Sequence, residues 1–295
     1  MAPDKHVANI ESDDNDIPTL SSDTLALLQE FQKSQAESLE LFEKLRLRAE
    51  TRFDKNDDDN DNNNDDDDER EDPLASMEVF KEDWNLSQFW YTDATAHVLS
   101  AYLISSLVHF PSIDSTPVPV HADYESRPDL KIAIISAPTV HQYLTRQILP
   151  RLSKPLQQKI HPVVFEHDTR FNVFGPKQFV HYDFNQPTNL RQDLKNSFDA
   201  VLVDPPFLSE ECQLKTAISV RLLLRKDNNG LNGNAKVAVC TGLKVKDVIL
   251  KAYKLYGVKC TDFRPEHRNG LQNEFRCFAS QEVNDVWHFE QEADD

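Results

Sequence analysis

The sequence predicts an α/β fold: a seven-stranded, mainly parallel, Rossmann-like sheet with helices on both faces and antiparallel pairing at one edge. Three observations predict it. Five short segments, several of them almost wholly apolar, alternate with stretches of helical periodicity, as parallel strands buried on both faces do. Two further apolar segments flank 264–273 with no room for a helix between them, so they must pair antiparallel. Three successive predicted strands end in an acid, Glu166, Asp183 and Asp204, at the edge where such sheets bind ligands.

In chain order, residues 1–20 are polar and aperiodic, and are expected to be disordered. Over 21–53, Leu25, Leu28, Phe31, Leu39, Phe42 and Leu45 recur at helical intervals behind a Ser21 or Ser22 cap, which predicts an amphipathic helix. The run at 54–73 contains DKNDDDNDNNNDDDDERED, which has nothing apolar to bury and repels itself, and so reads as an acidic linker. It lacks the sixth-position glycine and terminal glutamate of a helix-loop-helix calcium site. The main domain is expected over 74–280. An aromatic cluster around 89–91 precedes a helix over about 93–109 capped by Thr92 or Asp93, then a proline-bearing loop at 111–128. Strands are predicted at 131–136, 163–166, 179–183, 200–203, 236–240, 258–263 and 274–279, and helices at about 140–150, 188–195, 210–225 and 244–256. Residues 281–295 read as an acidic tail.

The net charge of −18 is unevenly placed. Residues 54–72 carry 12 acids against 2 bases and 281–295 carry 6 against none, whereas 73–280 carry 21 against 24. The body is therefore slightly basic. No Lys/Arg-dense stripe marks a nucleic-acid surface, although the acidity of the ends does not exclude one. No apolar run approaches the roughly 20 residues of a membrane span, and the N-terminal stretch lacks a signal-peptide pattern, so a cytoplasmic protein is expected. Cys212, Cys240, Cys260 and Cys277 form no Cys-x-x-Cys pair, which predicts reduced, buried thiols. His161, His167, Asp168, His181 and Asp183 match no metal-ligand spacing, and no metal is expected.

The chemistry is expected at the strand tips. An acid at the second tip offers two acceptors to a ribose diol, and Glu166 fits that place best, with Asp168 second. The first tip, IAIISAPTV, carries no glycine, which argues against a pyrophosphate cofactor; the small residues Ser136 and Ala137 still allow a nucleoside-like ligand to approach. At the fourth tip stands Asp204-Pro205-Pro206-Phe207. Two prolines fix φ near −65° and remove two N–H donors, so the chain leaves the sheet with carbonyl acceptors beside a carboxylate and a ring. That combination suits an amino group.

Asp-Pro-Pro-aromatic after the fourth strand resembles the signature of amino-group methyltransferases that use S-adenosylmethionine (AdoMet). SQFWYTDATA at 87–96, ISAPTVH at 135–141, FEHDTRF at 165–171, FVHYDFNQP at 179–187, DPPFLSEEC at 204–212 and NEFRCF at 273–278 narrow the match. Over about 74–280 the chain resembles the eukaryotic lysine methyltransferases that modify translation elongation factor 1-alpha, once labelled N6-adenine-specific DNA methyltransferases. The resemblance implies a class I methyltransferase fold and AdoMet as cofactor. It implies that Ser136 and Ala137 lie against AdoMet, Glu166 holds its ribose, and Asp183 with Phe184 contacts its adenine. Asp204, Pro205, Pro206 and Phe207 would receive the amine, and Gln88, Phe89, Trp90 and Tyr91 would close over cofactor and substrate. The acidic run at 54–72 and the loop at 111–128 depart from the family pattern. Chemically, DPPF also permits the N6 amino group of adenine in DNA or RNA.

Overall fold

The computed structural model describes residues 88–226, 235–270 and 273–291, with Gln29, Lys33, Glu40, Met77 and 80–83 besides. The chain divides into two units, 1–43 and 44–295. In the first, Gln29, Lys33 and Glu40 are helical and exposed. Otherwise the expectations for 1–20, 21–53 and 54–73 fall outside the described residues. Everything below concerns the second unit.

Its centre is a seven-stranded sheet. The strands are β3 (Leu130–Ile135), β4 (Ile160–Glu166), β5 (Phe179–His181), β6 (Ala200–Val203), β7 (Lys236–Gly242), β8 (Lys259–Cys260) and β9 (Phe275–Ala279), in the order β5-β4-β3-β6-β7-β9-β8. The first five run parallel, and β9 runs against both of its neighbours, β7 and β8. The antiparallel pairing thus sits at one edge, with the reversed strand one place in.

The strand sequences explain why both faces are covered. In β3, Ile132 and Ile134 enter one core with Leu99, Tyr102 and Leu103 of helix α1 (Asp93–Ile104) and Val140 of α2 (Pro138–Tyr143). Ala133 and Ile135 enter the other, with Val220 and Leu223 of α4 (Glu210–Leu223) and Ile249 of α5 (Lys246–Ala252). Both parities are apolar because both faces are buried, and each large side chain so buried contributes about 2 kcal/mol. A short helix, α3 (Lys154–Lys159), leads into β4.

Several boundaries differ from expectation for local reasons. Helix α1 stops at Ile104, where the Ser105 hydroxyl donates to the Tyr102 carbonyl; Val108–His109 (β1) then pairs with Val118–Pro119 (β2) as a small hairpin. The helix expected at 188–195 is only a 3-10 turn at Gln192–Leu194, and the one expected at 140–150 starts earlier, at Pro138, and ends in a π turn, Leu144–Ile148. Strand β8 is only two residues long; beyond it Thr261 still donates to the Cys277 carbonyl of β9 while bridging Phe289 on its other side, and the Asp262 N–H donates to the His288 carbonyl. Residues 281–291, within the stretch expected as an acidic tail, fold back: Trp287 is 2% exposed and its ring lies 4.4 Å from that of Tyr102. All four cysteines are buried thiols.

The chain order turns back between β3 and β6, so the carboxyl ends of these neighbours open a crevice. No helix among the described residues is long and apolar enough to cross a membrane.

Candidate active site

The crevice holds a cavity of about 450 Å³. All thirteen residues expected at the site line it: Ser136 and Ala137 after β3, Glu166 ending β4, Asp183 and Phe184 after β5, the run Asp204, Pro205, Pro206 and Phe207 after β6, and Gln88, Phe89, Trp90 and Tyr91 from the strap before α1.

Backbone geometry shapes the first half. Ser136 sits at φ 57°, a left-handed conformation that costs a side-chain-bearing residue about 1 kcal/mol. Its N–H donates to the Phe165 carbonyl at 2.9 Å, which holds the turn against β4. Glu166 is buried, and its Oε1 accepts from the backbone N–H groups of His167 (2.8 Å) and Asp168 (3.2 Å). Burial outweighs these bonds and raises its carboxyl to about 7. Its Oε2 has no protein partner among the described residues, which leaves an acceptor for a diol. After β5, the Asp183 carboxylate accepts from the Asn185 N–H at 2.8 Å, closing a turn that sets the Phe184 ring at the cavity.

Asp168, the second candidate for the ribose, is taken up otherwise. It accepts from the Gln88 amide (2.9 Å) and from Arg170 Nε (2.8 Å), with Arg170 Nη2 at 2.6 Å. Burial opposes its ionisation, but Arg170 and Gln88 prevail and hold the carboxyl below its ordinary value. Gln88 Oε1 in turn accepts from Arg170 and from the Asp83 N–H. Gln88, expected to bind substrate, therefore spends its amide fastening the strap to β4. Trp90 is fastened similarly: its indole N–H donates to the Phe80 carbonyl at 2.7 Å, and its ring meets Phe171 edge-on.

The second half is built around β6. The Asp204 N–H donates to the Ile135 carbonyl, after which Pro205 and Pro206 carry the chain out of the sheet. Among the described residues, no hydrogen bond reaches the carbonyls of Asp204, Pro205 or Pro206. The Asp204 carboxyl keeps some exposure to the cavity and is otherwise enclosed. Burial raises it to about 7, the facing Tyr91 hydroxyl lowers it, and the Glu166 charge raises it further. Phe207 is 42% exposed and meets Phe184 in a T-shaped pair at 5.6 Å. The loop is pinned behind: Gln213 donates to the Phe207 carbonyl, and Leu208 lies so close to β7 that a Cβ on Gly242 would sit 2.9 Å from Leu208 Cδ1.

The family model described as probable N6-adenine methyltransferase matches residues 82–283. The chain is 34% identical over 276 residues to protein-lysine N-methyltransferase EFM5 of Saccharomyces cerevisiae, covering 92% of this chain and 94% of that one. It is 35% identical to EEF1A lysine methyltransferase 1 of Gallus gallus (92% and 97% covered) and 30% identical to that of Homo sapiens (91% and 94%). This chain belongs to that family. It is a methyltransferase.

The methyltransferase cavity also takes in residues that sequence reasoning missed. His267 and Asn273 approach from the segment between β8 and β9, and Phe275 from the start of β9; that segment pairs with the strap, where Tyr91 bridges His267 and the Arg268 N–H donates to the Trp90 carbonyl. The His267 ring lies 4.6 Å from Tyr91 and 5.0 Å from Phe275, and burial lowers it to about 4, so it is a neutral wall at physiological pH. Only the N-E-F of NEFRCF hinted at this wall. Nothing in the residues before it signals that they return to the strap.

Proposed function

We propose that this methyltransferase transfers a methyl group from AdoMet to a lysine of translation elongation factor 1-alpha, working in the cytoplasm. The relatives named EEF1A lysine methyltransferase 1 and the yeast protein-lysine enzyme support the substrate. The observation that carries the reading is electrostatic. The cavity is lined by Glu166, Asp183 and Asp204 and, among the described residues, by no lysine or arginine. Such a lining favours a sulfonium and an ammonium side by side. An adenine flipped from a strand would bring phosphates that need basic partners.

The residues present fit AdoMet: the Ser136 turn lets backbone approach, Glu166 keeps one oxygen for the ribose hydroxyls, and Phe184 offers a face to adenine with Asp183 beside it. When bound, AdoMet supplies an electrophilic methyl on a positive sulfur. Asp204 accepts an N–H of the substrate nitrogen, the bare carbonyls of Pro205 and Pro206 offer further acceptors, and Phe207 with Phe184 packs the lysine stem. Holding the nitrogen in line at about 3 Å is where much of the catalysis lies. A carboxylate favours the ammonium form, so Asp204 aims the amine; burial in the cavity is what lowers lysine from its ordinary value of about 10.4.

Purified protein, radiolabelled AdoMet and elongation factor 1-alpha should label one lysine, and Asp204→Ala should reduce the rate at least about 100-fold. Unlabelled factor with wild type, or label in an oligonucleotide offered in parallel, would overturn the reading.

A further inference from the structure

Tyr91 presents an unresolved polar group at the heart of the site. Its side chain is 1% exposed, and its hydroxyl, facing Asp204 from the strap and Cys240 from β7, closes no hydrogen bond among the described residues. Buried hydroxyls are ordinarily paired, so one left open at a cavity wall calls for an explanation. The ring has no freedom to look elsewhere. It is fixed by the Tyr91–His267 bridge, by a tilted ring contact with His267 at 4.6 Å, and by Arg268 Nε donating to the Tyr91 carbonyl at 3.3 Å.

We propose that Tyr91 is a positioning residue for Asp204: its hydroxyl donates to one carboxylate oxygen, keeping the acid ionised and turning the other oxygen toward the substrate amine.

The protons run in one direction only. Burial, then the Asp204 charge, hold the Tyr91 phenol well above its ordinary value, and Cys240 is likewise held up as a thiol by the neighbouring Cys277 thiol and by burial. Both are thus donors at any physiological pH, and of the two the phenol is the stronger. The groups facing Asp204 are Tyr91, Glu166 from β4 and Cys240 from β7. Glu166 pushes Asp204 toward the protonated form, which cannot accept from an amine on that oxygen, and Tyr91 is the group that pulls it back. This inference rests on the reading that Asp204 receives the amine, but its direct readout does not need a substrate.

The test is a carbon-13 carboxyl titration of the AdoMet-free protein, wild type against Tyr91→Phe, with Asp204→Asn assigning the resonance. The Asp204 midpoint should move upward by about one pH unit in Tyr91→Phe. In the methylation assay the acid limb of kcat/KM should move with it, so that most of the lost activity returns at higher pH, a recovery that loosened packing would not give. Should Tyr91→Phe fail to fold, 3-fluorotyrosine at position 91, a stronger donor, should move the Asp204 midpoint down. An unmoved midpoint in either variant, or a loss of activity equal at every pH, overturns the proposal. Wild-type protein that methylates no lysine would instead sink the functional reading and leave the titration to decide the Tyr91 contact alone.

Discussion

The tips of β4 and β6 bring acids to one cavity, and the two are furnished in opposite ways. At β4, Asp168 meets Arg170 and Gln88, and Glu166 receives two backbone N–H groups. At β6, Asp204 meets, among the described residues, no cation and no backbone donor, but the Tyr91 hydroxyl that faces it and two prolines that have none to give. The carboxyls respond to the charged partner: Asp168, held by Arg170 and Gln88, is lowered, whereas burial raises Glu166, which has backbone donors alone, and Asp204 to about 7. The difference teaches how to separate a fastening charge from a working one. A carboxylate already satisfied holds the protein together; one left open in a cavity is held for a ligand.

The comparison breaks first if Asp168 is not structural. Asp168→Ala strands a partly buried guanidinium and the Gln88 amide, and should cost about 2–3 kcal/mol in denaturant unfolding. Intact stability would mean that the latch carries no load. A smaller effect comes from pH. Glu166 and Asp204 titrate near 7 in the folded protein against about 4 unfolded, so the folded state binds more protons across that window and stability falls as pH rises through it. Asp168 acts oppositely: it contributes stability above its unfolded value, which is lost as pH falls through its lowered folded one. Melting temperatures between pH 4.5 and 8 should therefore decline toward neutrality, and Asp204→Asn should flatten that decline while Asp168→Asn leaves it. The smallest effect is behind the β6 loop. Gly242→Ala pushes Leu208 by a few tenths of an ångström, and should cost about 1 kcal/mol and raise KM for the protein substrate about threefold, leaving AdoMet affinity unchanged.

Much of this was legible in the sequence because it lies in short segments with one meaning. β6 was bounded correctly at 200–203 because an apolar run ends at an acid and two prolines, and the strand-tip acids followed from the same alternation. What stayed illegible depends on pairs far apart in the chain. Nothing in FEHDTR tells whether Glu166 or Asp168 keeps a free oxygen until Gln88, some 80 residues earlier, is seen on Asp168. The acidity of 281–295 likewise masked Trp287, whose burial on Tyr102 outweighs the flanking charges. The hairpin at β1 and β2 was missed because Val108 continues the helical apolar pattern of α1.

The contrast between the two tips is tested most directly by one pair of variants, Asp204→Asn and Asp168→Asn, under single-turnover conditions with AdoMet and elongation factor 1-alpha saturating and well below both melting temperatures. Asp204→Asn should transfer methyl about 100-fold more slowly than wild type at unreduced stability, and Asp168→Asn within about threefold of wild type at reduced stability. Equal losses of rate in the two, or an Asp204→Asn enzyme as fast as wild type, would contradict the account.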